Sequence, residues 1–116
     1  MTARPAPRRI FGIHKLTEER YERPILDDDR LLWFGDQWAV VTDLQTPVVE
    51  HLLDNLGRPV DRDEITEVYA AAGGSTEEAA VTSLMRRVAA AFTAVGATVR
   101  FAYRNLAMEV SVPAAI

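Results

Sequence analysis

Residues 75–92, STEEAAVTSLMRRVAAAF, constrain the fold more than any other part of the chain. Val81, Leu84, Met85, Val88, Phe92 and, beyond the stretch, Val95 recur at helical spacing, which makes one stripe of a long helix a buried face. Ser75 with Glu78 three residues later has the form of a reciprocal cap at its start. Gly96 is a natural stop, because glycine tolerates the left-handed backbone that closes a helix.

Two shorter helices are expected before it. Thr46 serves as the cap of the first and Pro47 fits its first position, where a missing N–H costs nothing. Val49, Leu52, Leu53 and Leu56 form its inward face, and Gly57 ends it. Arg58, Pro59 and Val60 read as an extended link. Asp61 and Glu64 repeat the capping device for the second helix, Ile65, Val68 and Tyr69 give its buried side, and Gly73-Gly74 breaks it. Upstream, Ile25–Leu26, Arg30–Phe34 and Trp38–Val41 read as short strands, separated by turns at Asp27–Asp29 and Gly35–Gln37. Both Trp33 and Trp38 are expected in the core or on a sheet face. Downstream, Ala97–Tyr103 and Leu106–Val112 read as a hairpin turning around Arg104 and Asn105, with Tyr103 in the strand or in the turn, and Pro113 closes the second strand.

Residues 1–24 read as a basic, partly flexible arm, too poor in apolar surface at MTARPAPRR to offset the entropy of ordering. A short helical turn is expected from Thr17 to Tyr21, stopped by Pro24, with Phe11 and Tyr21 packing the arm onto the domain. Residues 25–112 form the domain and 113–116 a tail. The order is thus a small antiparallel sheet, three helices and a C-terminal hairpin, an α+β fold.

The 116 residues carry a net charge of −4 and no cysteine, which excludes disulfides and thiolate zinc sites and makes the cytoplasm the expected compartment. Charge is unevenly spread. Residues 1–24 hold six basic and three acidic groups, residues 25–80 three and thirteen, and residues 81–116 four and one. Local potential steers a charged partner more than the total does, so the C-terminal third is the internal candidate for phosphate contact. No apolar run reaches the roughly 20 residues that span a bilayer. Two histidines do not make a conventional zinc site, and Asp27–Asp29 and Asp61–Asp63 are explained by turns and caps. His51 is expected as an exposed or half-buried helix residue. No phosphate-binding glycine loop is present, so neither enzyme activity nor a cofactor, metal or small-molecule ligand is expected.

The order of elements, with TPVVEHLLDNLGRPVDRDEI at 46–65 and VTSLMRRV at 81–88, resembles the winged-helix domain of the OmpR/PhoB-type response regulators. The first segment is similar to the family's first helix, its G-R-x-V turn and its R-[DE]-E-L second-helix opening. The second is similar to its I-S-x-L-R-x-K-L pattern, with Val81, Leu84 and Val88 on the apolar positions. Met85 stands where the family usually has arginine, and Ser83 where another basic residue is common. Thr98-Val99-Arg100 matches the start of the family's wing, but Phe101-Ala102-Tyr103 lacks its glycines. Residues 1–24 are too few for a receiver domain. The resemblance implies a winged helix-turn-helix that binds double-stranded DNA in transcription regulation. One helix of a small module offers few base contacts, so binding as a dimer or beside a partner is expected.

On the solvated side of the long helix, Glu78, Thr82 and Arg86 form one row and Ser83, Arg87 and Ala90 its neighbour. Arginine suits guanine edges and phosphates through its rigid donor fork, and the two hydroxyls reach similar acceptors. The candidate DNA-binding residues are therefore Thr82, Ser83, Arg86, Arg87, Arg100 and Arg104, with Arg4, Arg8 and Arg9 as candidate contacts from the arm. The competing reading makes Glu78 part of a cap, Arg86–Arg87 a solvated face, and the hairpin arginines solubilising groups. A second function follows from the acidic central block and the apolar ribbon Leu106–Val112. In it the winged helix associates with another regulator, a polymerase subunit or a second copy of itself.

Overall fold

Three short strands, β1 (Tyr21–Leu26), β2 (Leu31–Gly35) and β3 (Gln37–Val40), form an antiparallel meander in the order β1-β2-β3. The computed structural model describes residues 21–104 and 106–112. Tyr21 lies in β1 and not in a helical turn, and Thr17–Arg20, with Phe11, lie outside the described residues. Pro24 therefore sits within a strand. It is accommodated because β1 is an edge strand whose ladder is irregular between Tyr21 and Ile25.

The β1–β2 turn is organised by Asp27, as its sequence suggests. The buried Asp27 carboxylate accepts the backbone N–H of Asp29 at 2.8 Å and of Leu31 at 3.0 Å, and the Trp33 indole N–H at 3.0 Å. Arg30 is in this turn with φ +61°, so β2 begins one residue later than expected. Alternation along β2 sends Leu32 and Phe34 to the main core and Leu31 and Trp33 to the other face, where Ile25 and Trp38 join them. The two tryptophan rings are 6.5 Å apart and tilted by 42°.

Helices α1 (Thr46–Leu53), α2 (Arg62–Ala71) and α3 (Glu78–Ala94) follow, then strands β5 (Thr98–Ala102) and β6 (Ala107–Ser111). Between α1 and α2 a two-residue strand, β4 (Val60–Asp61), pairs with β6, giving a second antiparallel sheet in the order β4-β6-β5. Val60 is thus part of a sheet and not only a link.

None of the three expected caps forms as a side-chain bond. Helix α1 is capped in position by Gln45, and the Thr46 hydroxyl donates back to the Thr42 carbonyl at 2.9 Å. Asp61 holds the cap position of α2 without a side-chain bond, and Glu64, the reciprocal half of the expected cap, turns instead to His51 and, at 3.5 Å, to Arg58. Helix α3 starts at Glu78 with Glu77 in the cap position, and the Ser75 hydroxyl only accepts the Glu77 N–H at 3.1 Å. Helix α1 ends at Leu53, before Gly57, whose left-handed φ of +80° turns the chain so that its N–H bonds the Val110 carbonyl of β6 at 2.7 Å.

The core lies where α3 crosses both sheets. All six apolar residues expected on its inward stripe are buried, and Phe92 and Val88 have no exposure at all. Burying a side chain of this size stabilises by about 1.5–3 kcal/mol. Ile65 and Leu52 are buried as expected, while Leu53, Leu56, Val68 and Tyr69 are only partly covered. Val48, outside the expected stripe of α1, is buried. The result is an α+β fold of three helices and two small antiparallel sheets. Among the described residues no helix is long and apolar enough to cross a membrane.

Candidate nucleic-acid interface

Because Val81, Leu84, Met85, Val88 and Phe92 fix which side of α3 is buried, the opposite side is fixed as well. Glu78, Ala79, Thr82, Ser83, Arg86, Arg87 and Ala90 line one open, shallow surface. Both expected rows lie there. The side chains of Arg86 and Arg87 are exposed, and neither has an acidic partner among the described residues. Ser83 and Arg87 also border a second groove, with Thr42, Leu44, Gln45 and Tyr69 on its far side.

A further arginine reaches this helix from outside it. Arg62, the first residue of α2, donates from Nη2 to the Glu78 carbonyl and to Thr82 Oγ1, each at 2.7 Å, and from Nη1 to Met85 Sδ at 3.6 Å. Its backbone N–H bonds the Leu106 carbonyl at 2.7 Å, which ties the start of α2 to the hairpin. Sequence reasoning missed Arg62. It sits between Asp61 and Asp63, a context that reads as a capped helix start, and nothing in its spacing signals a reach across helices.

The hairpin treats its two arginines differently. Arg100 faces Glu109 across the ladder, and their side chains form an ion pair of 2.7 Å. Alternation puts Arg100 on the opposite face of β5 from Phe101, whose cross-strand partner Met108 is fully buried. Phe101, and not Arg100, meets α3: it shares a recess with Arg62, Thr82, Met85 and Arg86. Arg104 is exposed in the turn, where it and Tyr103 take left-handed backbones of φ +56° and +52°. Tyr103 therefore belongs to the turn. It is 76% exposed and Leu106 60%, so the hairpin end presents apolar as well as basic groups.

The fold thus brings Thr82, Ser83, Arg86 and Arg87 together on one face, pairs Arg100 elsewhere and leaves Arg104 at the hairpin end. Arg4, Arg8 and Arg9 lie outside the described residues. Chemically, the α3 face offers two guanidinium groups without an acidic partner among the described residues and two hydroxyls, donors suited to an anion, with the Glu78 carboxylate at its start. His51 is half-buried, as expected of it, and bonded to Glu64. Among the described residues no group of three His, Asp or Glu side chains could hold a metal ion. No protein-family model, curated protein or solved structure matches this chain.

Proposed function

We propose that this chain is a winged-helix protein that binds double-stranded DNA and regulates transcription, with α3 as its recognition helix and the β5–β6 hairpin as its wing. The observation that carries the reading is the outward face of α3, where Thr82, Ser83, Arg86 and Arg87 stand together with no acidic partner for either arginine among the described residues. Supporting it are the element order of sheet, three helices and hairpin, and the local excess of basic groups in residues 81–116. A helix entering a major groove must bury one face and present the other to bases and phosphates, and α3 is divided in that way.

Titration with duplex DNA between about 50 and 200 mM salt tests the reading. Each phosphate neutralised contributes about −0.9 to the slope of log affinity against log salt, so replacing Arg86 and Arg87 by glutamine should flatten that slope by about two. Absence of binding at the lower salt, or a slope indifferent to both substitutions, would refute it.

A second reading has its own support. Arg100 is compensated by Glu109, and Phe101, Tyr103 and Leu106 are exposed on the hairpin, a composition suited to protein association through the wing. Under this reading the domain joins another regulator, a polymerase subunit or a second copy. Mass in solution separates the two: a stable dimer without DNA that is lost on Leu106→Ser and Tyr103→Ser substitution favours association, whereas a monomer that binds duplex favours the first.

A further inference from the structure

Threonines in helices commonly turn the hydroxyl proton back onto the carbonyl four residues earlier. Thr46 does so to Thr42 at 2.9 Å and Thr66 to Arg62 at 2.8 Å. Thr82 does not. The carbonyl it would use, that of Glu78, already receives Arg62 Nη2 at 2.7 Å, in addition to the helix's own N–H. The other hydrogen of the same Nη2 goes to the Thr82 oxygen, also at 2.7 Å. A hydroxyl has one proton to give and lone pairs to accept with. Here the oxygen is accepting, the usual internal acceptor is engaged, and the proton is donated to none of the described residues. Arg62 has turned Thr82 into a donor awaiting an acceptor.

The proton has a recess to donate into. Arg62, Thr82, Met85, Arg86 and Phe101 enclose a small hollow between α3 and the hairpin. Arg86 supplies a cation without an acidic partner among the described residues, and Met85 and Phe101 supply walls that reduce competition from water. We propose that this recess seats one phosphodiester oxygen of DNA, held by the Thr82 hydroxyl and Arg86, and that Arg62 is the positioning residue that fixes the direction of the Thr82 hydrogen bond. The inference rests on the DNA-binding reading and adds to it a site, a ligand atom and a polarity. An acceptor-only group such as a phosphate oxygen suits a fixed donor, whereas a base amino group would meet donor against donor.

The test uses the full chain and two duplexes of unrelated sequence. Affinities are compared for wild type, Thr82→Val, Thr82→Ser, Arg62→Met and the Arg62→Met/Thr82→Val double variant, with folding of each confirmed by circular dichroism and thermal midpoint. Valine matches threonine in shape and removes the donor, so binding should weaken by about tenfold on both duplexes, the value of a hydrogen bond to a charged group. Serine keeps the hydroxyl and should bind within about twofold of wild type.

The decisive comparison is the Thr82→Val substitution repeated in the Arg62→Met background. With Arg62 gone, Thr82 turns its proton onto the vacated Glu78 carbonyl, so valine should then cost less than about twofold. A merely structural role for Arg62 would leave the valine effect at its full size. If wild type binds DNA and Thr82→Val binds equally well, the recess is refuted while DNA binding stands. A loss confined to one duplex would assign Thr82 to a base and overturn the phosphate. Failure of wild type to bind either duplex would overturn both readings together.

Discussion

Asp27 connects three parts of the first sheet through one carboxylate, and its removal should be felt through Trp33. One carboxylate oxygen accepts the backbone N–H groups of Asp29 and Leu31, and the other accepts the indole N–H of Trp33 at 3.0 Å. Asparagine can keep the first two bonds with its carbonyl oxygen. Its amide nitrogen then faces the indole nitrogen, donor against donor. Trp33 is 3% exposed, so water has little access to relieve the clash. A hydrogen bond to a charged group is worth about 1.5–3 kcal/mol, and the two retained bonds weaken when their acceptor loses its charge. Asp27→Asn should therefore destabilise the fold by about 2–4 kcal/mol.

Much of that cost should depend on Trp33. In a Trp33→Phe background the asparagine amide meets no opposing donor, and the same substitution should cost about 1–2 kcal/mol less than in wild type. Urea unfolding followed by circular dichroism measures both, because either tryptophan substitution or a change at Asp27 would alter fluorescence directly. An Asp27→Asn cost equal in both backgrounds would refute the reasoning. It would show that the carboxylate acts through the turn alone.

Phe92 has no exposure and lies where α3 crosses both sheets, so Phe92→Ala should cost about 3–5 kcal/mol by urea unfolding. Gly57→Ala should cost about 1–2 kcal/mol by the same measurement, because a Cβ there meets nothing within 4 Å and only the left-handed φ of +80° resists it. In DNA titrations Arg100→Gln should change the salt slope by less than half as much as Arg86→Gln, since Glu109 at 2.7 Å already compensates Arg100.

The parts of this fold that were legible in the sequence are those that repeat a pattern. The inward stripe of α3 recurs often enough to establish the helical period, and every member of it is buried. Asp27–Asp29 was legible as a turn because aspartate bonds its neighbouring backbone wherever the chain reverses. The missed features depend on partners distant in sequence. Strand β4 has two residues, too few for alternation, and exists because β6 lies beside it. Glu64 has the spacing of a capping residue, but His51 on α1 takes its carboxylate instead. The Arg100–Glu109 pair depends on a cross-strand register fixed by the hairpin turn, which no local pattern states. Arg62 was unreadable for the same reason: its role is set by Glu78 and Thr82 on another helix.

The net charge of −4 and the basic α3 face are compatible once the arginines are sorted by what they touch. In the acidic central block Arg30 is paired with Asp43 at 2.7 Å and Arg58 with Glu64 at 3.5 Å, while Arg62 is bonded to groups on α3. In the C-terminal third Arg100 is paired, but Arg86, Arg87 and Arg104 have no acidic partner among the described residues. Uncompensated positive charge therefore falls on α3 and the hairpin end. Even the shortest extent of the molecule, 27 Å, exceeds the screening length of about 8 Å at physiological ionic strength. Acidic groups that lie several such lengths from α3 are thus largely screened from an anion there. Glu78 is different, because it lies on the same face one helical turn from Thr82. Of the residues lining that face it is the acidic one, and under the DNA-binding proposal it would oppose a phosphate near the start of the helix.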